Sequence, residues 1–423
     1  MNLQVIIKFL ELRMNLHYSR KKILKLQQKK LRKILRYAYE HSEFYRKTFE
    51  QNGINSNNIG STPIEKFPVI NKHILFENYD QILTDKNAKQ YRIHSSGSTG
   101  IPRFFAYDNS AWETVMAGIP RGCMWDINIF KLLKIVLSGV RFLYIAATDG
   151  AYAGVESIGS TCKAFGVKTL FIDINEPLEI WCKKINDFNP NFVVGYPSGL
   201  KIIASLVQEG KISFRKKIHK IATCGEPLIP GLRKNLEETF GKEIINFYGA
   251  SESLALGIEK DPKEGMILFD DLNYIEVADG KMYLTCLYNF LQPLIRYEIT
   301  DRLEKLPIGK SSFTRTKIVQ SRQEDVMWFE KDGKKDFIHP LSVEGICIEG
   351  LLDYQFVRCD DENFVMKIQL SDSGKERNIL NELDSFFLKL LMEKRMDFVK
   401  YKIEVVDEIK ADSKTGKKKL IVV

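Results

Sequence analysis

Nowhere in the 423 residues do eighteen apolar residues follow one another, which argues against a membrane-spanning helix. The apolar stretch from Val5 to Leu10 is broken by Lys8 and leads to no small-residue cleavage site, so export is not expected either. Seven cysteines are scattered without a C-x-x-C, and an odd number at such spacings neither frames a disulfide scaffold nor spells a zinc site. A reducing cytoplasm is the expected compartment. The six histidines form no H-x-x-x-H or H-x-x-E-H pair, so each reads as an ordinary surface or core residue and a histidine metal cage is excluded. Low-complexity linkers and repeats of solenoid period are also missing.

What is present is a globular composition, 44% hydrophobic and 28% charged, in a chain long enough for roughly two to three domains. The net charge of +9 is unevenly spread. Nine basic residues and no acid lie between Arg20 and Arg36, with Leu24, Leu31, Leu35 and Ala38 recurring at helical spacing. This basic amphipathic helix reads either as a surface for acidic lipid, nucleic acid or an acidic carrier protein, or as a helix with its apolar stripe docked and its lysines solvated. The second reading is favoured, and the lack of aromatic residues before Tyr37 counts against a nucleic-acid platform.

Residues 1 to about 85 read as helices broken at Gly53, Gly60 and Pro63. From Lys89 short β-rich runs, among them Phe104 to Tyr107, Lys134 to Leu137, Phe142 to Ala146, Phe192 to Val194 and Ile218 to Thr223, alternate with helix-length segments. That alternation predicts an α/β core with a largely parallel sheet. After Gly280, Lys281 to Leu287 and Leu294 to Tyr297 read as antiparallel strands. The last hundred residues read as a compact α+β unit with a long helix from about Lys375 to Met392.

The densest chemical signal is Ser95-Ser96-Gly97-Ser98-Thr99-Gly100-Ile101-Pro102-Arg103. Hydroxyls and glycines packed this closely offer O–H and backbone N–H donors to a polyanion, and Arg103 adds a cation. It is not a Walker loop, because no G-K-[ST] occurs and the following Phe104-Phe105-Ala106-Tyr107 looks like a strand; a hairpin clamping phosphates is expected. Gly225-Glu226-Pro227, Tyr248-Gly249-Ala250-Ser251-Glu252 and Arg296-Tyr297-Glu298-Ile299-Thr300-Asp301 each follow or end a predicted strand, where open α/β sheets bind ligands.

Together with Ser321-Arg322-Gln323-Glu324-Asp325, Thr415-Gly416-Lys417, Gly195-Tyr196-Pro197-Ser198 and Pro68-Val69-Ile70-Asn71-Lys72, the set resembles the adenylate-forming enzymes. More narrowly it is similar to the phenylacetate–coenzyme A ligase branch, whose relatives include capsule-cluster proteins and a deazaflavin-adenylylating enzyme. The resemblance implies a large N-terminal adenylation domain, residues 1–320, of mainly parallel sheets with a β-rich subdomain, and a small mobile α+β lid, residues 321–423. It implies that Ser95 to Gly100 and Arg103 hold the β- and γ-phosphates of ATP, that Gly225, Glu226 and Pro227 line the adenine pocket, and that Tyr248, beside Gly249 and Ser251, stacks on the base. Glu252 would ligate Mg²⁺, Asp301 would accept the ribose hydroxyls, and Arg322 would sit near ribose and phosphate. Lys417 would reach the α-phosphate from the lid, with Lys418 and Lys419 as alternatives. Glu324 would be the hinge, and Tyr152 would border the acyl pocket.

The family's G-R-x-D-D reads S-R-Q-E-D here, a mild change because Glu324 keeps a carboxylate, whereas its R-Y-x-T-G-D reads R-Y-E-I-T-D, and Ile299 and Thr300 point to a specialised subgroup. The implied reaction is ATP-dependent activation of a small carboxylic acid, then transfer to the thiol of coenzyme A or of a carrier protein's phosphopantetheine. Two alternatives stand beside it: nucleotidyl transfer to a hydroxyl, and a non-catalytic nucleotide-binding scaffold in polysaccharide assembly.

Overall fold

The structure, a computed structural model, describes every residue except 96–102, 149–152, 229, 279–280, 300, 308, 310, 321–325, 344–345, 347, 371–372, 410–418 and 423. The chain opens with helices α1 (Leu3–Asn15), α2 (Arg20–His41), α3 (Glu43–Gln51), α4 (Lys72–Glu77) and α5 (Tyr79–Ile82), as the early Gly and Pro breaks predict. A hairpin of β1 (Tyr91–Ser95) and β2 (Arg103–Tyr107) follows, then α6 (Asn109–Cys123) and α7 (Ile129–Leu137). The α/β core alternates β3 (Arg141–Ala146), α8 (Ala153–Phe165), β4 (Lys168–Asp173), α9 (Leu178–Phe188), β5 (Phe192–Gly195), α10 (Pro197–Gln208), β6 (Lys220–Cys224), α11 (Pro230–Phe240) and β7 (Ile244–Ala250).

Among the described residues β4, β3, β5, β6 and β7 run parallel. The sheet then continues antiparallel through β8 (Ser253–Glu259) and β9 (Met266–Leu268) to β14 (Arg315–Gln320) and β13 (Arg302–Lys305). Its inner parallel strands β3, β5 and β6 are largely buried on both faces, which explains their mostly apolar sequence. Tyr144, Ala146, Val194 and Ala222 meet Trp112 and Val115 of α6 and Ile158 of α8 in one core. Leu143, Ile145, Val193 and Ile221 meet Trp181 of α9, Leu200 of α10 and Leu236 of α11 in the other. A three-stranded antiparallel sheet of β10 (Asn273–Ala278), β11 (Lys281–Cys286) and β12 (Tyr297–Ile299) forms the β-rich section. Its last strand starts later than the Leu294 expected from sequence, because Arg296 takes a left-handed φ of 48°.

The C-terminal part carries the hairpin β15 (Met327–Lys331) and β16 (Lys334–Ile338), the short α12 (Pro340–Val343), and a sheet ordered β19-β18-β17-β20. Those strands are β17 (Leu351–Arg358), β18 (Asn363–Leu370), β19 (Lys400–Val405) and β20 (Ile421–Val422), packed on α13 (Glu376–Glu393) around Phe356, Phe364 and Phe387. The expected α/β core, β-rich section and α+β C-terminal part are thus all found.

Two expectations change. Lys134 to Leu137 is the end of α7 rather than a strand: Asn128 accepts the Lys131 N–H at 2.9 Å as an N-cap, and the apolar residues fall at helical spacing. On α2 the docked stripe uses Ile23, Leu31, Ile34, Leu35 and Ala38, while Leu24 faces solvent. Part of its basic charge is also held internally. Arg20 meets Asp270 at 2.5 Å and Lys30 donates to the Asp271 carbonyl at 2.7 Å. Beneath them Arg121 of α6 pairs with Asp271 at 3.2 Å, both fully buried, and Asn15 donates to the same carboxylate at 2.8 Å.

Candidate active site

Parallel strands deliver their last residues to one edge of the sheet, and there the chain order reverses: β3 leads outward to β4 on one side, while β5 and β6 continue on the other. A crevice at this switch point is the usual ligand site of such sheets. Tyr196, Pro197 and Ser198 leave β5 there, Gly225, Glu226 and Pro227 leave β6, and Ser251 and Glu252 leave β7. Gly225 sits at φ +80°, and a Cβ on it would lie 2.7 Å from the Tyr196 ring, so the turn requires glycine twice over.

Glu226 is the centre of a compact network. One carboxylate oxygen accepts the Ser198 N–H at 3.0 Å, the other accepts the Ser198 hydroxyl at 2.8 Å, and His339 Nε2 lies 3.1 Å from that second oxygen. His339 Nε2 is also 2.6 Å from Ser198 Oγ, and its ring stacks on Tyr196 with centroids 6.0 Å apart. Burial acts to raise the Glu226 carboxyl, but the hydrogen bond and charge of His339 and the Ser198 donors outweigh it and hold it below its ordinary value. His339 comes from the C-terminal part, between β16 and α12, and is 1% exposed. Sequence reasoning missed it, because a lone histidine whose partner Ser198 is 141 residues away in the chain leaves no local signal. Ser198 carries no sequence signal beyond its place in the Gly195-to-Ser198 segment.

Tyr248 and Asp301 form the second group. The Tyr248 hydroxyl donates to Asp301 Oδ2 at 2.6 Å, joining the end of β7 to the residue that precedes β13. Burial first, and the Asp301 charge next, push the Tyr248 hydroxyl well above its ordinary pKa, so it stays a donor. Glu252 follows just beyond the end of β7. Burial and then the Asp301 charge raise its carboxyl, while Lys72 and a hydrogen bond from Tyr297 act in the opposite sense. Among the described residues no three His, Cys, Asp or Glu side chains gather as a metal site, so Glu252 stands as a single buried carboxylate within the field of Asp301. Ser251 fixes this turn through its carbonyl, which accepts the Tyr107 hydroxyl at 2.7 Å. Arg296, which opens the Arg296-to-Asp301 segment, faces away to Glu276 at 3.1 Å and to the Glu65 and Phe67 carbonyls, so it shapes the segment from behind.

Of the phosphate-loop candidates, Ser95 and Arg103 are cross-strand partners in the β1–β2 hairpin. Ser96, Gly97, Ser98, Thr99 and Gly100 lie outside the described residues, as do Tyr152, Arg322, Glu324, Lys417 and Lys418. Lys419 leads into β20, and its carbonyl accepts Gln355 Nε2 at 2.9 Å.

The C-terminal part is anchored against the large sheet beside this site. Lys394 and Asp336, both buried, pair at 3.2 Å, Lys394 also donates to the Ile174 carbonyl at 3.2 Å, and Asp336 accepts the Leu178 N–H at 3.0 Å. Phe337 inserts among the α9 and α10 side chains, its ring 5.6 Å from Trp181. A cleft of about 790 Å³ between α9, α10 and the β15–β16 hairpin, lined by Lys201, Trp328 and Lys334, runs along this junction away from Glu252 and Asp301.

No protein-family model matches the chain. In sequence it is 26% identical over 336 residues to a phenylacetate-coenzyme A ligase of Aromatoleum evansii, covering 73% of this chain and 72% of that one. It is 24% identical over 374 residues to protein CapK of Staphylococcus aureus, covering 85% and 81%. A 2-hydroxyisobutyryl-CoA ligase, solved in complex with 2-HIB-AMP and CoA in the thioesterification state, shares the fold with a TM-score of 0.65 at 19% identity, covering 96% of this chain and 90% of that one. The same ligase in its postadenylation state gives 0.57, over 94% and 88%. The motifs, the sequence similarity and the shared fold agree in likening the chain to the phenylacetate–coenzyme A ligase-like branch of the adenylate-forming enzymes.

Proposed function

We propose that the chain activates a small carboxylic acid with ATP and passes the acyl group to the thiol of coenzyme A. In the first step a substrate carboxylate oxygen bonds to the α-phosphorus and the bond to pyrophosphate breaks; in the second a thiolate attacks the acyl carbon and AMP leaves. The observation that carries this reading is the Tyr248–Asp301 bond at 2.6 Å beside Glu252, at the carboxyl edge of a sheet whose motifs follow the family order.

Each residue then has a defined task. Asp301, oriented by the Tyr248 hydroxyl, keeps an oxygen to accept from ribose hydroxyls. Glu252 would hold Mg²⁺, which supplies charge neutralisation for the triphosphate. The 95–103 hairpin binds the distal phosphates, and Gly225, Glu226 and Pro227 border the base. Lys417 stabilises charge on the α-phosphate during carboxylate attack, with Arg322 beside it. The C-terminal part, 321–423, works as a lid pivoting at Glu324, and the docked arrangement described above is the thiol-transfer one. The higher TM-score with the thioesterification state of the related ligase supports this assignment. For a carrier protein as acceptor the basic helix α2 offers weaker support than the sequence suggested, since Arg20 and Lys30 are engaged within the fold.

ATP–pyrophosphate exchange across a panel of carboxylic acids, followed by detection of the coenzyme A thioester, tests the proposal. Exchange without thioester formation would redirect it to nucleotidyl transfer. Tight ATP binding with no exchange for any acid would overturn it in favour of a scaffold.

A further inference from the structure

Helix α7 buries only Leu132 and Ile135. At 100° per residue, Ile129, Phe130, Leu133, Val136 and Leu137 fall on one broad arc turned away from that seam. They range from 44% to 86% exposed, Leu137 the most. Single exposed apolar side chains are common, but five on a nine-residue helix make a continuous patch that calls for a partner.

The border is cationic. Lys134 borders the apolar arc on one side of the helix, Lys131 lies beyond it toward Ile135, and both are exposed. Ser138, the C-cap of α7, bonds His219 at 3.3 Å, which brings the exposed Lys216 and Lys217 alongside. His219 registers this field: burial and then the charges of Lys242, Lys217 and Lys131 lower its pKa. Arg141 and Lys168, paired in register where β3 and β4 begin, continue the basic rim. Of the acids near these strand starts, Asp126 is bonded to Lys220 at 2.7 Å and Glu243 lies 3.6 Å from Lys260. All this occupies the amino-terminal edge of the parallel strands, opposite the edge that carries Glu226, Glu252 and Asp301.

We propose that α7 with its lysine rim is a docking surface for an anionic lipid bilayer. The apolar arc inserts to the depth of the headgroups, and the rim neutralises lipid phosphates, the usual design of an interfacial amphipathic helix. A second copy of the chain fits less well, because a two-fold contact through this patch sets lysine rim against lysine rim. Bound in this way, the protein keeps its ligand crevice and C-terminal part on the side facing water.

Flotation of the full chain with vesicles of phosphatidylcholine, and with vesicles containing about a third phosphatidylglycerol, tests the proposal at low and high salt. Binding to the anionic vesicles, weakened by salt, is expected. Phe130→Ser/Leu137→Ser should lose at least about tenfold in partitioning with an unchanged thermal midpoint. Lys131→Glu/Lys134→Glu, which alters only exposed residues, should lose about fivefold or more per charge and remove the preference for anionic lipid. Failure of the unmodified chain to float with either vesicle at low salt would overturn the proposal. So would a dimer in sedimentation velocity that Phe130→Ser/Leu137→Ser dissolves, since the face would then belong to a second copy.

Discussion

Removing one imidazole should separate the two half-reactions. His339 reaches from the C-terminal part to Ser198 Oγ at 2.6 Å and Glu226 at 3.1 Å, and these contacts exist only while that part is docked as it is here. A hydrogen bond to a charged group contributes about 1.5–3 kcal/mol, so taking about 2 kcal/mol from the docked state alone shifts the lid equilibrium about thirtyfold away from it. If the docked state is the thiol-transfer state, His339→Ala should slow acyl transfer from a synthetic acyl-adenylate to coenzyme A by roughly that factor, while pyrophosphate exchange holds or rises. His339→Gln, which keeps a donor, should recover part of the loss. The pH dependence has a fixed sign. Glu226 is depressed by its partners, so its contribution to docking is complete above the ordinary carboxylate range and is lost only as pH falls through the depressed value, below about 4.5. Equal losses in both half-reactions, or a collapsed thermal midpoint with both rates per folded molecule unchanged, would refute the reasoning.

Asp301→Asn keeps an acceptor for the Tyr248 hydroxyl, so the thermal midpoint should stay close to that of the unmodified chain while ATP affinity falls; Asp301→Ala should lose a further ~1–3 kcal/mol of stability by orphaning that hydroxyl. An unchanged affinity with a lowered midpoint in both variants would make Asp301 structural. Lys394→Met strands the buried Asp336 carboxyl and should cost about 3–5 kcal/mol in denaturant unfolding, whereas Asp336→Asn/Lys394→Met should recover most of it; equal losses would mean that the pair itself contributes little. Lys417→Ala should slow adenylate formation and spare thiol transfer, and Glu324→Pro should freeze one lid arrangement; full turnover of Glu324→Pro would end the pivoting mechanism.

The fold was legible where local rules and tertiary structure agree. Breaks at Gly53 and Pro63 and the doubly apolar strands from Phe142 onward were readable because periodicity and turn chemistry are local properties. The run Lys134 to Leu137 was not, since a short apolar run fits a strand or a helix until its cap at Asn128 is recognised. The stripe of α2 shifted by one residue to Ile23 for the same reason: several apolar positions compete, and only the partner surface decides. At the site, strand-end placement of Glu226, Tyr248 and Glu252 could be read from sequence, but their pairings could not. Tyr248 finds Asp301 across 53 residues and Ser198 finds His339 across 141, distances over which sequence alone carries no register.

The docking of α2 also bears on how the chain folds as it is made. Arg20 is held by Asp270 and by Thr314, and Gln27 donates to the Asn273 carbonyl at 2.7 Å, so the seat of this helix is built from residues 246 to 294 positions downstream. At about 5–20 residues per second, a ribosome needs roughly a quarter of a minute to a minute to supply them. Throughout that interval Ile23, Leu31 and Ile34 remain without their final cover on a segment bearing nine cations. The strong positive charge that looks superfluous in the finished molecule, where part of it is internally paired, keeps the waiting helix soluble and repels it from neighbouring nascent copies.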